Sequence, residues 1–203
     1  GWIGRCEEFL DRFERMMPEF DRLITGNEIF VNRCANICPI TAEEAIGHGL
    51  VGPNLRASGV DFDVRRDMPY SVYPRVDFDV AVGTGAMGTV GDCWDRFWLR
   101  CEEMRQSARI IRQCLEQLPK GDFFNKPKKV RPKGEAWARV ESARGDMFCY
   151  VVGNGKPEPE RVHFRTGSYN AMQVVEPKSR GVMVADLVAL IASLDVIAPE
   201  IDR

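Results

Sequence analysis

Between positions 2 and 24 the apolar residues fall at Trp2, Cys6, Phe9, Leu10, Phe13, Met16, Met17, Phe20, Leu23 and Ile24. That three-and-four spacing predicts a helix with one buried face, and Arg5, Asp11, Arg12, Glu14 and Arg15 take the other side. Gly26 and Asn27 end it, and a short apolar segment at 29–38 leads to Thr41-Ala42-Glu43-Glu44. There Thr41 can cap a helix while Glu44 reaches back to the cap, and Gly47 and Gly49 stop the helix within two turns. Positions 49–91 are rich in Gly, Pro, Asp and Arg but hold short apolar pieces, which predicts an ordered loop packed on the helices. A second long helix is predicted from the cap Asp92 to about Leu118, with Trp94, Phe97, Trp98, Cys101, Met104, Ala108, Ile111, Leu115 and Leu118 as its stripe. Beyond the basic connector at 126–133 the period changes to two: Ala136, Ala138 and Val140 alternate with Trp137, Arg139 and Glu141. A turn at 143–146 then joins strands at 147–152 and 161–165 into a small antiparallel sheet. The stretch 181–194 is apolar nearly all round, the pattern of a buried helix.

Composition adds exclusions. A chain of 203 residues that is 44% hydrophobic and 29% charged has material for a core, so disorder is excluded. With 28 basic against 30 acidic residues the net charge is -2, and no global field draws the chain to nucleic acid or anionic lipid. The longest apolar stretch, 181–199, is broken by Asp186 and Asp195 and falls short of the roughly 20 apolar residues that a bilayer requires. Seven cysteines, an odd number in a chain large enough to need no staples, predict mostly buried free thiols in a reducing compartment. The first residue is Gly1 in the midst of a helical pattern, with no signal-peptide layout, and the expectation is a fragment or a processed chain.

Several patterns imitate sites. Gly83-Thr84-Gly85-Ala86-Met87-Gly88 spells G-x-G-x-x-G, but the next helix begins later and antiparallel patterning follows it, so a flexible turn is expected rather than a dinucleotide site. Cys34 and Cys38 have no second ligand pair, and His48 and His163 lie far apart with no nucleophile signature. The run at 126–133 lacks interleaved aromatics and reads as a solvated loop.

Five spaced segments carry more. They are Gly52-Pro53-Asn54-Leu55-Arg56-Ala57-Ser58-Gly59, Asp63-Val64-Arg65-Arg66-Asp67-Met68-Pro69-Tyr70, Gly91-Asp92-Cys93-Trp94-Asp95-Arg96, Arg100-Cys101-Glu102-Glu103-Met104-Arg105-Gln106-Ser107 and Asp195-Val196-Ile197-Ala198-Pro199-Glu200-Ile201-Asp202-Arg203. In this order they resemble the C-terminal half of the D-type subunit of respiratory complex I (NADH-quinone oxidoreductase), the hydrogenase-like subunit of its peripheral arm. That family is related to the large subunit of nickel-iron hydrogenases. The resemblance runs over 1–203 and implies one domain whose N-terminal half lies outside this sequence. It implies an α+β fold, mainly helical and hydrogenase large-subunit-like, with a small antiparallel β-sheet.

Hydrogenases place nickel-binding thiolates in a C-terminal D-P-C-x-x-C motif, soft ligands suited to that metal. Here Ile197 and Glu200 stand at the cysteine positions, so the resemblance implies no metal site and no catalytic residue of this chain's own. It implies a wall of a quinone pocket, with Ile197 facing the ring or tail and Asp195, Glu200 and Arg203 holding carbonyl oxygens or bracing the wall. A buried Asp195 paired with Arg203 could sense the charge change on reduction; a simple ion pair fixing the chain end is the other reading of those two. The family's Tyr and His headgroup ligands have no counterpart here. Pro199 replaces a usual Gly, Val182 replaces a usual His, and a short connector leaves the electron donor open.

The implied function is a share in a proton-translocating NADH:quinone oxidoreductase. The quinone is its substrate, the iron-sulfur cluster is held by a neighbouring subunit, and this chain alone binds no cofactor. The implied partners are that iron-sulfur subunit, the membrane arm and other complex I subunits, with no nucleic acid. The implied place is peripheral, on the cytoplasmic face of a bacterial-type inner membrane or the matrix side in mitochondria. A large subunit of a membrane-bound hydrogenase-related complex and a degenerate structural or assembly paralogue are the alternatives.

Overall fold

The computed structural model describes residues 1–126 and 130–202. Helix α1 (Trp2–Phe20) forms where predicted, but of the predicted buried face it buries only Leu10 and Met17, while Trp2, Phe9, Met16, Leu23 and Ile24 are exposed. Pro18 lies inside it, and beyond Phe20 the chain continues as a π-helical segment, Asp21–Thr25, that stops at Gly26. Helix α2 (Glu28–Cys34) is capped by Asn27, whose side chain accepts from the Ile29 and Phe30 N–H groups. Helix α3 (Ala42–Gly47) carries the expected capping box: Thr41 Oγ1 accepts from the Glu44 N–H at 3.2 Å and Glu44 Oε2 from the Thr41 N–H at 2.9 Å.

The segment at 49–91 is more regular than an ordered loop. It contains helices α4 (Gly52–Ala57) and α5 (Val64–Asp67) and a 3-10 turn, Tyr73–Arg75. Every residue of α4 is buried, so no polar face alternates with an apolar one and the helical period cannot show in the sequence. The remainder does pack on helix α6 (Cys93–Glu116): the Asp77 N–H donates to Gln113 Oε1 at 2.8 Å and the Asp79 N–H to Gln106 Oε1 at 3.0 Å. The glycine motif at 83–88 is a pinned turn, not a flexible one. Gly83 lies so close to α4 that a Cβ there would sit 2.7 Å from the Ala57 carbonyl carbon, and the Gly85 N–H donates to Asp95 Oδ2 at 2.9 Å.

Helices α1 and α6 run antiparallel. Arg112 of α6 pairs with Asp11 at 2.7 Å and Glu14 at 2.8 Å, Arg105 pairs with Asp21, and Trp94 Nε1 donates to the Thr25 carbonyl at 3.1 Å. Asp92 caps α6 as expected, accepting from the Asp95 N–H at 2.8 Å. The sheet is antiparallel in order β1 (Lys133–Ser142), β2 (Gly145–Asn154), β3 (Arg161–Arg165), with a two-residue turn at Ala143 and Arg144.

Helices α7 (Gly167–Gln173) and α8 (Val175–Lys178) have no sequence forecast. Helix α9 (Val184–Leu194) buries Asp186, Leu190 and Leu194 only; Val184 is 83% and Val188 65% exposed, against the expectation of burial all round. It packs on α6, α7 and α2 from one side, which leaves the outer side uncovered. A four-residue helix, α10 (Ala198–Ile201), closes the described chain. The core lies where α3, α4, α6, α7 and α9 meet, at Ile40, Ala45, Leu50, Leu55, Cys93, Val174, Leu190 and Leu194. All seven cysteines are free thiols, but only Cys38, Cys93 and Cys101 are buried, so the expectation of mostly buried thiols is corrected. Among the described residues no helix is long and apolar enough to cross a membrane. The fold is thus mixed helix and sheet, with the helices in the majority.

Candidate functional site

The five segments, far apart in the chain, meet around the amino-terminal half of α6. Asp92 Oδ2 accepts from the Asn36 N–H at 2.7 Å and the Thr89 N–H at 3.0 Å, tying the loop before α6 to the end of α2. Fully buried Arg96 donates to the Cys38 and Gly91 carbonyls and, through Nε, to Ser193 Oγ at 2.9 Å. Burial pushes its guanidinium pKa down. Asp95 is held above the ordinary carboxylate range by burial, although the Gly85 and Gly91 N–H groups donate to it.

Two helical turns further along α6, at Glu103, Arg56 of α4 holds three carboxylates. Its Nε and Nη2 reach Glu103 Oε1 at 2.9 and 2.7 Å, Nη2 reaches Glu141 Oε1 at 2.9 Å, and Nη1 lies 3.3 Å from Asp63 Oδ2. Arg65 completes the group on Asp63 at 2.6 Å. Burial raises the Glu141 carboxyl despite Arg56, whereas for Asp63 the two arginines overcome burial and hold it below the carboxylate range. This cluster joins α4, α5, α6 and β1.

The third cluster sits on the carboxyl-terminal turn. Asp195 ends α9 in the left-handed region, at φ 53° and ψ 47°, a conformation that Asp tolerates better than most residues. Asn54 Nδ2 donates to the Leu194 carbonyl at 3.0 Å and Arg144 Nε to the Asp195 carbonyl at 2.9 Å. Arg100 Nη2 donates to Asn54 Oδ1 at 2.8 Å, and its Nε lies 3.8 Å from Asp195 Oδ2. Burial, with Arg96 adding to it, brings the Arg100 guanidinium down to about 10; Asp195 opposes the change.

Asp195 is therefore not a buried carboxylate. Its side chain is 42% exposed and faces Arg100 and Arg144, because the left-handed turn aims it at the β1–β2 turn; Arg203 lies outside the described residues. Ile197 and Glu200 are brought together by one hydroxyl. Ser168 Oγ accepts from the Ile197 N–H at 3.3 Å and donates to Glu200 Oε2 at 2.5 Å, while Thr166 Oγ1 donates to the Glu200 carbonyl at 2.6 Å. Both candidate side chains are half-buried. Sequence reasoning missed Asn54, Arg144, Thr166 and Ser168 as positioning groups. Asn54 lies inside one of the five segments and could have been singled out; Arg144 and Ser168 carry no local signal.

The candidate residues do not line the main apolar cavity of the described residues. That space, about 630 Å³, opens between α3–α4 and the sheet and is walled by Leu50, Leu55, Phe62, Trp137 and Phe148. Arg139 and Arg165 clasp buried Asp146 at its side. Among the described residues no three His, Cys, Asp or Glu side chains gather into a metal-holding group.

Replacing Asn54 by alanine removes the donor to Leu194 and strands an Arg100 N–H. The expected loss is about 1–3 kcal/mol, seen as a lowered urea midpoint with an unchanged slope. An unshifted midpoint would show that the turn at Asp195 holds itself.

The chain matches the family model described as respiratory-chain NADH dehydrogenase, 49 Kd subunit, over residues 1–132 and 126–203. It is 60% identical over 207 residues to an NADH-quinone oxidoreductase D-type subunit of Sorangium cellulosum, covering 100% of this chain and 53% of that protein. It is 56% identical to a D-type subunit of the NADH-quinone oxidoreductase of Anaeromyxobacter dehalogenans and 44% identical to that of Desulforamulus reducens, each match covering 100% of this chain and 54% of the relative. The chain spans about half the length of the curated relatives it matches.

Proposed function

The chain belongs to the family of the 49 kDa subunit of respiratory-chain NADH dehydrogenase, and on that premise we propose that it works within an NADH-quinone oxidoreductase as part of the quinone-reduction pocket. The pocket lies at the interface with the iron-sulfur subunit of the peripheral arm, and the fold is the hydrogenase large-subunit type. An iron-sulfur cluster held by that neighbour would supply the electrons. Two electrons and two protons convert the quinone to the quinol, and the membrane arm couples the step to proton translocation. The assembly is peripheral, at the cytoplasmic face of the membrane.

In this reading Ile197 gives an apolar wall, and Asp195, Glu200 and Arg203 form its polar margin. The observation that carries it is the convergence of Asn54 and Arg100 on the turn at Asp195. These residues come from three of the five segments on which the family likeness rests, and their contacts hold the carboxyl-terminal turn to α4 and α6. A wall fixed in this way is pre-organised, which a site that must place a headgroup within electron-transfer reach requires.

The test is Ile197→Arg in the assembled complex. Quinone reductase activity is expected to fall at least tenfold while electron transfer from NADH to a water-soluble acceptor reduced upstream of the quinone stays within twofold of the parent. Unchanged quinone reduction would refute the pocket assignment, and equal loss of both activities would point to an assembly defect instead.

A further inference from the structure

Arg96 and Arg100 stand four residues apart on α6 and so share one face of the helix. Neither has a carboxylate within hydrogen-bond distance among the described residues. Arg96 commits its donors to the Cys38 and Gly91 carbonyls, Cys93 Sγ and Ser193 Oγ. Arg100 is held at both tips of its fork, with Nη1 donating to the Arg96 carbonyl at 2.6 Å and Nη2 to Asn54 Oδ1 at 2.8 Å. Its Nε is buried, has no hydrogen-bond partner among the described residues and lies 3.8 Å from Asp195 Oδ2. The second oxygen of that carboxylate, Oδ1, lies 3.5 Å from Arg144 Nη2. A formed charge-assisted hydrogen bond measures about 2.7–2.9 Å, so the two guanidiniums aim the side chain without capturing it. Asp195 is half-exposed, its backbone is pinned through the Leu194 and Asp195 carbonyls, and its oxygens keep lone pairs for a third donor.

We propose that Arg100 is a positioning residue that sets the pocket's preference for the quinol over the quinone, by aiming the Asp195 carboxylate at a quinol hydroxyl. This assignment rests on the quinone-pocket reading and says which redox form the turn at Asp195 favours. A carboxylate only accepts hydrogen bonds, and of the two forms only the quinol carries O–H donors; the quinone carbonyls are acceptors and gain nothing from Asp195. Direction follows from the anchors. With both tips fixed, the Arg100 guanidinium cannot turn to follow the carboxylate, which is drawn toward Arg100 by one oxygen and toward Arg144 by the other. Without Arg100 that balance is lost: Asp195 closes on Arg144, the one cation left beside it among the described residues, and its lone pairs are taken up there. A bracing role on Asn54 alone predicts instead equal damage to the binding of both forms.

The experiment is steady-state kinetics of the assembled complex with a short-chain quinone as substrate and its own quinol as product inhibitor. For Arg100→Met the quinol inhibition constant is expected to rise about fivefold or more while the quinone KM stays within about twofold of the parent. Asp195→Asn, which keeps the left-handed turn but offers a weaker neutral acceptor, is expected to do the same, and the double variant to do no more than the larger single change. Arg100→Lys keeps the charge but not the two-point anchor and is expected to fall between parent and methionine. If Arg100→Met does not assemble, the cycle of Arg100→Lys with Asp195→Asn carries the same test. Equal rises in the quinone KM and the quinol constant, or losses that multiply in the double variant, would overturn the proposal. The Ile197→Arg variant separates this assignment from the reading beneath it. If quinone reduction is lost there but quinol inhibition is unchanged in Arg100→Met and Asp195→Asn, the role of Arg100 alone is refuted; undiminished quinone reduction in Ile197→Arg refutes the pocket and the role of Arg100 together.

Discussion

Exchanging Arg56 for methionine is expected to cost the chain about 3–5 kcal/mol of stability, a large part of what a domain of this size possesses. The guanidinium is almost fully buried and is shared by Glu103, Glu141 and Asp63; methionine fills much of its volume but leaves only Asp63 of the three with an arginine, Arg65, in ion-pair contact among the described residues. The loss is expected to depend on pH with a definite sign. Burial already holds the Glu141 carboxyl above its ordinary range, and removing Arg56 raises it further. A group whose folded pKa is raised stabilises the fold while protonated and loses that contribution as pH rises through the folded pKa. The deficit of Arg56→Met should therefore shrink between pH 7 and pH 5.5. Urea midpoints of parent and variant at the two pH values check this, and a deficit that is constant or grows on acidification would contradict it. Arg56→Lys keeps the charge but loses the fork, so it should fall between parent and methionine.

Gly145→Ala is the second substitution with a large expected effect. Gly145 follows the β1–β2 turn at φ +109° and rests backbone to backbone on Gly52, which opens α4 at φ +58°. A Cβ on Gly145 would sit 2.5 Å from the Gly52 nitrogen, 2.7 Å from its Cα and 2.7 Å from the Val51 carbonyl carbon. No flexible side chain can give way there, so either the hairpin lifts from α4 or α4 shifts in the core. We expect a loss of about 3 kcal/mol or more, from strain at positive φ added to the displaced packing. Because Arg144 donates to the Asp195 carbonyl from the same turn, the variant should also loosen the carboxyl-terminal turn, visible as faster amide exchange over residues 194–197. A thermal midpoint within a degree of the parent would show that the contact is not constraining.

The forecasts that held rest on local signals. The existence of α1, α6 and β1, the Thr41–Glu44 box and the Asp92 cap depend on neighbours within four residues, whereas the predicted buried faces of α1 and α6 did not hold in full, since Phe9, Met16, Met104 and Ile111 are exposed. Helix α4 was hidden because burial on every side erases periodicity, and α7 because Gly167, Ser168 and Ala171 are small residues packed tightly against Glu200 and the hairpin turn. The outward apolar face of α9 reads as core in the sequence, since composition cannot tell a face covered by this chain from one left open.

The candidate site divides in the same way. The segments that carry the family likeness, Ile197 and Glu200 among them, are properties of the sequence alone. What holds those residues is not: Asn54, Arg100 and Arg144 reach Leu194 and Asp195 across 140, 95 and 51 positions of chain. Side-chain spacing decides which helix or strand forms, because those interactions are short in sequence. Which charge meets which, and whether Asp195 is buried or half-exposed, is decided only when separate elements close on one another.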